Sequence, residues 1–246
     1  MSIETAELTK RFGEKFAVHR LTLTVRDGEC FACLGPNAAG KTTTIKLLTG
    51  LLRPTSGSIR IAGIDLATQS VEAKRVMGYV PDVPHLYEKL TGEELLRFVG
   101  ELHGMEAGQL ARAIDCWVER FRLTDARHDL IESYSHGMRQ RLALSSALVH
   151  APRVLIIDEP LVGLDPQTVR TFKQVLREQA RAGVTVFLST HTLALAEELA
   201  DRIGIMDQGA LVGLGTLDEL RRASGIAGRL EDIFLKLTVE ETDTVS

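Results

Sequence analysis

The sequence predicts an α/β fold: a mostly parallel sheet, an antiparallel β part at the N-terminus, and a helical lobe inserted into the core. Three observations carry this. A short apolar run, Cys30 to Leu34, passes through a glycine-rich loop into a helix-spaced segment from Lys41 to about Leu48. A second apolar run, Val154 to Ile157, has the length and composition of a buried parallel strand and ends in Asp158-Glu159. Between them, from about 85 to 150, the spacing of apolar residues is helical.

The elements are justified in order. Leu21-Thr22-Leu23-Thr24-Val25 alternates as a half-buried strand does, and Asp27-Gly28 turns the chain into the Cys30 strand. Ser58 to Ile61 alternates again. Thr91 and Glu94 have capping-box spacing, with Leu95, Phe98, Val99 and Leu102 at helical intervals behind them. Helices are expected from about Gln109 to Phe121 and from His136 to Val149. Asp165-Pro166 offers an N-cap followed by proline at the first helical position, and Gly183 supplies the stop. Val184 to Leu188 is the next strand. Ile203 to Met206 and Leu211 to Leu214 flank a turn at Asp207-Gln208-Gly209. A last helix places Leu230, Ile233, Phe234 and Leu237 on one face, and residues beyond Glu240 are expected to fray. The expected organisation is one domain over 1–246, with a core lobe of 1–84 and 151–246 and a helical lobe of about 85–150.

Composition narrows the function. A net charge of −4 gives no electrostatic reason to expect nucleic acid as a partner. No apolar run approaches the ~18 residues that span a bilayer, and Met1 to Gly13 has no apolar signal-peptide core, which predicts a cytosolic protein with its three cysteines reduced. Cys30-Phe31-Ala32-Cys33 has redox-motif spacing. In a strand, however, residues three apart point to opposite faces, and two thiols are too few for structural zinc. These cysteines read as core.

Gly35-Pro36-Asn37-Ala38-Ala39-Gly40-Lys41-Thr42 fits G-x-x-x-x-G-K-[ST], a loop whose backbone N–H groups curl around phosphate at a helix N-terminus. Lys41 would reach the β- and γ-phosphates and the Thr42 hydroxyl would ligate Mg²⁺. A cation in a first helical turn is disfavoured unless an anion sits there, so Lys41 argues against a plain glycine turn. Two carboxylates ending a buried strand are costly without a cation. Asp158 is therefore assigned to Mg²⁺ and Glu159 to activating the attacking water. His191 also lies just past a strand end, where ligands of open α/β sheets bind, and is assigned to the γ-phosphate. If these strands are parallel neighbours, all three groups meet on one edge.

With these motifs the chain resembles the nucleotide-binding subunits of ABC transporters, with a P-loop NTPase core, over nearly its whole length. Tyr134-Ser135-His136-Gly137-Met138-Arg139-Gln140-Arg141 is similar to the ABC signature, Leu164-Asp165 after Leu161-Val162-Gly163 to the D-loop, Tyr79-Val80-Pro81-Asp82 to the Q-loop, and His191 to the switch histidine. The resemblance implies ATP and Mg²⁺ as ligands. It implies nucleotide contacts from Phe12, stacked on adenine, and from Val18. Further contacts come from the loop Gly35, Pro36, Asn37, Ala38, Ala39, Gly40, Lys41, Thr42 and Thr43, and from Asp82. It implies head-to-tail closure of two such subunits, with Ser135, Gly137 and Asp165 of one completing the site of the other. A separate permease would be driven at the cytoplasmic face of the membrane, and the Leu230 to Leu237 tail is similar to exporter-type subunits. The alternative is an ATP-binding module of this type with no transport role or impaired hydrolysis. Three positions depart from the family: Ala38 and His136 replace glycine, and Asp82 replaces glutamine. Ala38 is expected to fit if its φ stays negative. For Asp82, direct ligation of Mg²⁺ and a contact through water are both open, and the contact through water is favoured because Asp is shorter than glutamine by ~1.5 Å. A docking surface for the permease is expected between 82 and 96, from His85, Leu86, Tyr87 and Leu90.

Overall fold

The computed structural model describes residues 1–159, 161 and 164–239. Two long strands, β1 (Ile3–Phe12) and β2 (Lys15–Val25), form a hairpin. β3 (Cys30–Leu34) then feeds the glycine loop and α1 (Lys41–Leu48). β4 (Ser56–Ile61) and β5 (Ile64–Asp65) join the hairpin as an antiparallel sheet in the order β2-β1-β4-β5. α2 (Ser70–Arg75) and β6 (Met77–Val80) lead into the helical stretch: α3 (Gly92–Leu102), α4 (Ala107–Arg120), a 3-10 turn (Ile131–Ser133) and α5 (His136–Leu148). The chain returns through β7 (Val154–Asp158), α6 (Pro166–Arg181), β8 (Thr185–Ser189), α7 (Leu193–Leu199), β9 (Arg202–Asp207), β10 (Ala210–Gly215), α8 (Leu217–Ser224) and α9 (Leu230–Val239).

The second sheet runs β10-β9-β3-β8-β7-β6, and all its pairings are parallel except β9 with β10. Its central strands are buried on both faces. Cys30, Leu155, Ile157, Val186 and Leu188 pack with the helices α3 to α6, whereas Phe31, Cys33, Val154, Ile156 and Phe187 pack with α1 and the antiparallel sheet. The two cysteines therefore sit in different cores, as strand geometry requires. Burial pushes both thiols up to about 12, which keeps them protonated.

Capping chemistry places the helices as expected at three points. Thr91 and Glu94 form a reciprocal capping box on α3, Asp165 accepts from the Gln167 and Thr168 amides at α6, and Ser135 accepts from the Met138 amide at α5. Strand β1 has no counterpart in the alternation of the sequence. A bulge around Glu7, which has φ 48°, shifts the register between Thr5 and Leu8 and breaks the period of two. The short helices α2, α7 and α8 are likewise additions to the expected set. α8 carries a capping box of its own, Thr216 with Glu219. In α9, Leu230 and Ile233 are fully buried and Phe234 and Leu237 pack beside them. Glu240 and the residues beyond it lie outside the described residues, as do Val162 and Gly163.

Where α3 and α5 end, His103 and His150 stack with ring centroids 3.7 Å apart. The His150 Nε2 lies 3.1 Å from the Met77 carbonyl, which can only accept, so Nε2 carries the proton and Nδ1 the lone pair. The Nδ1 atoms of both rings are buried without a hydrogen-bond partner. Among the described residues the charged groups facing the pair are Lys74 and Arg75, and none of the residues lining the surrounding cavity of ≈ 300 Å³ is a carboxylate, Tyr79 being the other titratable neighbour. Burial first, and then His103, lower the His150 pKa from the ordinary 6.5 to about 4. An unfolded imidazole takes its proton near 6.5 while the native one resists until about 4, so the unfolded state binds more protons in that window. Stability is therefore present above about 6.5 and falls as pH drops toward about 4, by up to ~3 kcal/mol. Chemical denaturation at pH 7, 6 and 5 should show the difference between wild type and His150→Gln changing with pH. A difference that stays constant over that range refutes the effect.

Candidate active site

The parallel neighbours β3, β8 and β7 bring three strand ends to one edge, with Cys33 opposite Ser189 and Ser189 opposite Asp158. The glycine loop, Asp158-Glu159 and the segment carrying His191 therefore emerge side by side. They border a cavity of ≈ 600 Å³ lined by Asn37, Ala38, Ala39, Gly40, Lys41, Thr42 and Thr43, with Asp82, Glu159 and His191 across from them and Phe12, Lys15 and Ala17 at the outer end.

The loop is shaped for an anion. Gly40 caps α1 with φ 107° and no side-chain cap, and a Cβ there would collide with the Ala17 carbonyl, so only glycine fits. The first turn of α1 has no acidic residue, leaving its amides and dipole unneutralised. Lys41 is 8% exposed, and its ammonium donates to the Gly35 and Pro36 carbonyls at 2.7 and 3.0 Å, closing the loop into a ring. Ala38 takes φ 65°, so the condition of a negative angle is not met. The loop imposes the left-handed conformation there, and the methyl costs ~1 kcal/mol relative to glycine.

Across the cavity, Glu159 has φ 46° and its amide donates to the Ser189 carbonyl at 3.0 Å. Its Oε2 lies 2.9 Å from His191 Nδ1. The carboxylate is mostly shielded and the imidazole is more than half exposed. Asp158, 3% exposed, has an Oδ1 with no hydrogen-bond partner. Burial raises the Asp158 pKa and the nearby Glu159 and Asp82 carboxylates add to this, while the Ser189 and Thr42 hydroxyls pull the other way. A buried acid with an orphaned oxygen, pushed toward its neutral form, fits a cation. Among the described residues no group of three His, Cys, Asp or Glu could hold a metal alone. Two carboxylates and a threonine hydroxyl match Mg²⁺, which keeps waters and phosphate oxygens as ligands.

Other expected residues lie elsewhere. Val18 is fully buried in the core beneath the loop, and Ala17 and Lys15 face the cavity instead. Val18 does not line the cavity, because alternate residues of a strand face opposite sides and it takes the core side. Ser135, Gly137 and Asp165 do not line the cavity. Ser135 is exposed, and among the described residues a Cβ on Gly137 would meet only Leu164, at 3.8 Å. One lysine lines the cavity without having been expected, Lys15, and Lys10 stands outside it against the Phe12 ring. Lys10 Nζ lies 5.1 Å from the centroid of the Phe12 ring, which is 52% exposed, and the signal available in the sequence is their position flanking that aromatic on the hairpin.

A glycine loop closed by its lysine, at the edge of a parallel sheet and facing paired acids, defines a P-loop NTPase fold. A profile of the ABC transporter family matches residues 18–162. The linearmycin resistance ATP-binding protein LnrL of Bacillus subtilis is 36% identical over 237 residues, 96% of this chain and 75% of that one. The probable multidrug ABC transporter ATP-binding protein YbhF of Escherichia coli is 40% identical over 90% of this chain and 38% of its own length. A solved ATP-binding subunit of an ABC transporter superposes with a TM-score of 0.93 at 34% identity, covering 96% of this chain and 99% of that one. The chain belongs to the ABC transporter family, as an ATP-binding subunit.

Proposed function

We propose that this chain binds and hydrolyses ATP as the energising subunit of an exporter, with its permease on a separate chain. The observation that carries this is the division of the machinery. Lys41, Thr42, Asp82, Glu159 and His191 share one cavity, while Ser135 and Gly137 stand outside it on another part of the same molecule. A site so divided is completed when a second subunit, identical or homologous, brings its signature segment to the cavity. ATP binds the closed pair more tightly than the open one and so shifts the population toward closure.

In this reading Phe12 stacks on the base, and the loop amides of Gly35 to Thr43 with Lys41 hold the phosphates. Thr42 and Asp158 would hold Mg²⁺, with Asp82 a further candidate through a bridging water. The metal supplies charge neutralisation at the phosphates. Glu159 takes the proton of the attacking water, His191 orients it and reaches the γ-phosphate, and Asp165 stands at the subunit contact. The drug-resistance and multidrug names of the relatives support an exporter. Among the described residues no helix is long and apolar enough to cross a membrane, and the proposal assigns the membrane path to the partner.

The partner surface lies in the 82–96 segment. Leu86 and Leu90 pack onto the core, whereas Val83 and Tyr87 are 59% and 64% exposed, and Tyr87 meets the half-exposed Phe98 edge-on at 5.9 Å. Exposed aromatics of this kind anchor interfaces. Cys30 and Cys33 are buried, so in a Cys116→Ser background a Tyr87→Cys variant presents one accessible thiol among the described residues. It should crosslink to the permease in an assembly that transports. No crosslink from any position between 82 and 96 in such an assembly sinks this docking site.

A further inference from the structure

Gln140 lies in the second turn of α5, is 1% exposed, and donates from Nε2 to the Asp82 backbone carbonyl at 3.0 Å. The amide orientation is fixed by its partner, since a carbonyl only accepts. The Oε1 of Gln140 is buried with no partner. A buried amide with half its bonding unmade is costly. An apolar side chain would fill the position at less cost, so packing alone does not account for glutamine here.

The residue it grips explains the choice. Asp82 lines the cavity with Thr42 and Glu159, and the Asp158 carboxylate senses both acids. Asp82 and Glu159 line one cavity beside the buried Asp158 and like charges repel, and Asp82, exposed at the start of a loop, can swing away. A hydrogen bond to its backbone opposes that movement. The same helix begins at the Ser135 cap, five residues or ~7.5 Å away along the axis, so one rigid rod carries both the signature segment and the grip on Asp82.

We propose that Gln140 is a positioning residue that holds the Asp82 carboxylate at the metal side of the site, an inference that rests on the Asp82 assignment above. The test uses the full chain and MANT-ATP, whose Kd is read by fluorescence in Mn²⁺ and in EDTA. Gln140→Met should shrink the Mn²⁺-dependent gain in affinity by about 3- to 10-fold, the range for one lost hydrogen bond, with the EDTA Kd unchanged. Gln140→Asn keeps the amide but falls ~1.5 Å short, so it should behave alike and reads out the same contact should Gln140→Met not fold. In an Asp82→Ala background neither substitution should lower the gain further, because the pathway runs through that carboxylate. An equal loss in that background, a loss already present in EDTA, or an unchanged gain overturns the role of Gln140. If Asp82→Ala alone leaves the gain unchanged, the metal-side reading of Asp82 fails and this inference falls with it. If Asp82→Ala lowers the gain and the Gln140 variants do not, the inference alone fails.

Discussion

Lys41→Ala is expected to weaken ATP binding by about 10- to 100-fold and to abolish ATP-dependent dimerisation. The size reflects the loss of charge-assisted hydrogen bonds to phosphate, worth ~1.5–3 kcal/mol. The side chain is almost entirely shielded, so its charge acts with little solvent screening, and its ammonium already spans the Gly35 and Pro36 carbonyls. Alanine removes the cation and leaves those two carbonyls without their donor, so the loop loses its closure as well as its charge. Calorimetric titration with ATP measures the first effect and size-exclusion chromatography the second. Unchanged affinity would mean that the loop does not hold phosphate.

The loop, the strand-end acids and the histidine are legible in the sequence because each is a local pattern with a mechanism. Their meeting at one edge is legible only conditionally, and the parallel β3-β8-β7 order supplies the condition. Backbone angles are not legible. Alanine at position 38 does not announce the φ of 65° that it takes in the loop. Facing within an irregular strand is not legible either. The bulge near Glu7 hides β1, and Val18 points inward where Ala17 and Lys15 face the cavity. Near residue 85 the sequence shows an apolar cluster but cannot divide it, and packing does. Leu86 and Leu90 turn to the core, leaving Tyr87 with Phe98 at the surface. Gln140 reads as one polar residue among several in the signature helix. Only the approach of the Asp82 carbonyl, 58 residues away in sequence, gives it a partner.

Glu159→Gln is expected to bind ATP and hydrolyse it at least ~10²-fold slower, the lower range for loss of a general base. The geometry makes this substitution discriminating. Glu159 is held in a left-handed conformation with its amide on the Ser189 carbonyl, and that backbone state does not depend on the side-chain charge. Glutamine has the same length and can still face His191 Nδ1, which the carboxylate meets at 2.9 Å. The loop, Lys41 and Thr42 are untouched, so nucleotide affinity should be preserved. What glutamine cannot do is accept the proton of a water attacking phosphorus. The variant should therefore accumulate in the ATP-bound, closed pair, because the step that resets it is blocked while the step that forms it is intact. Size-exclusion chromatography in Mg-ATP should show a dimer for Glu159→Gln under conditions where the wild type returns to monomer. Steady-state phosphate release, measured with the permease present, gives the rate. Wild-type turnover in the variant would remove Glu159 from the catalytic role. Slow turnover without a trapped dimer would keep the base and refute closure as the state that hydrolysis releases.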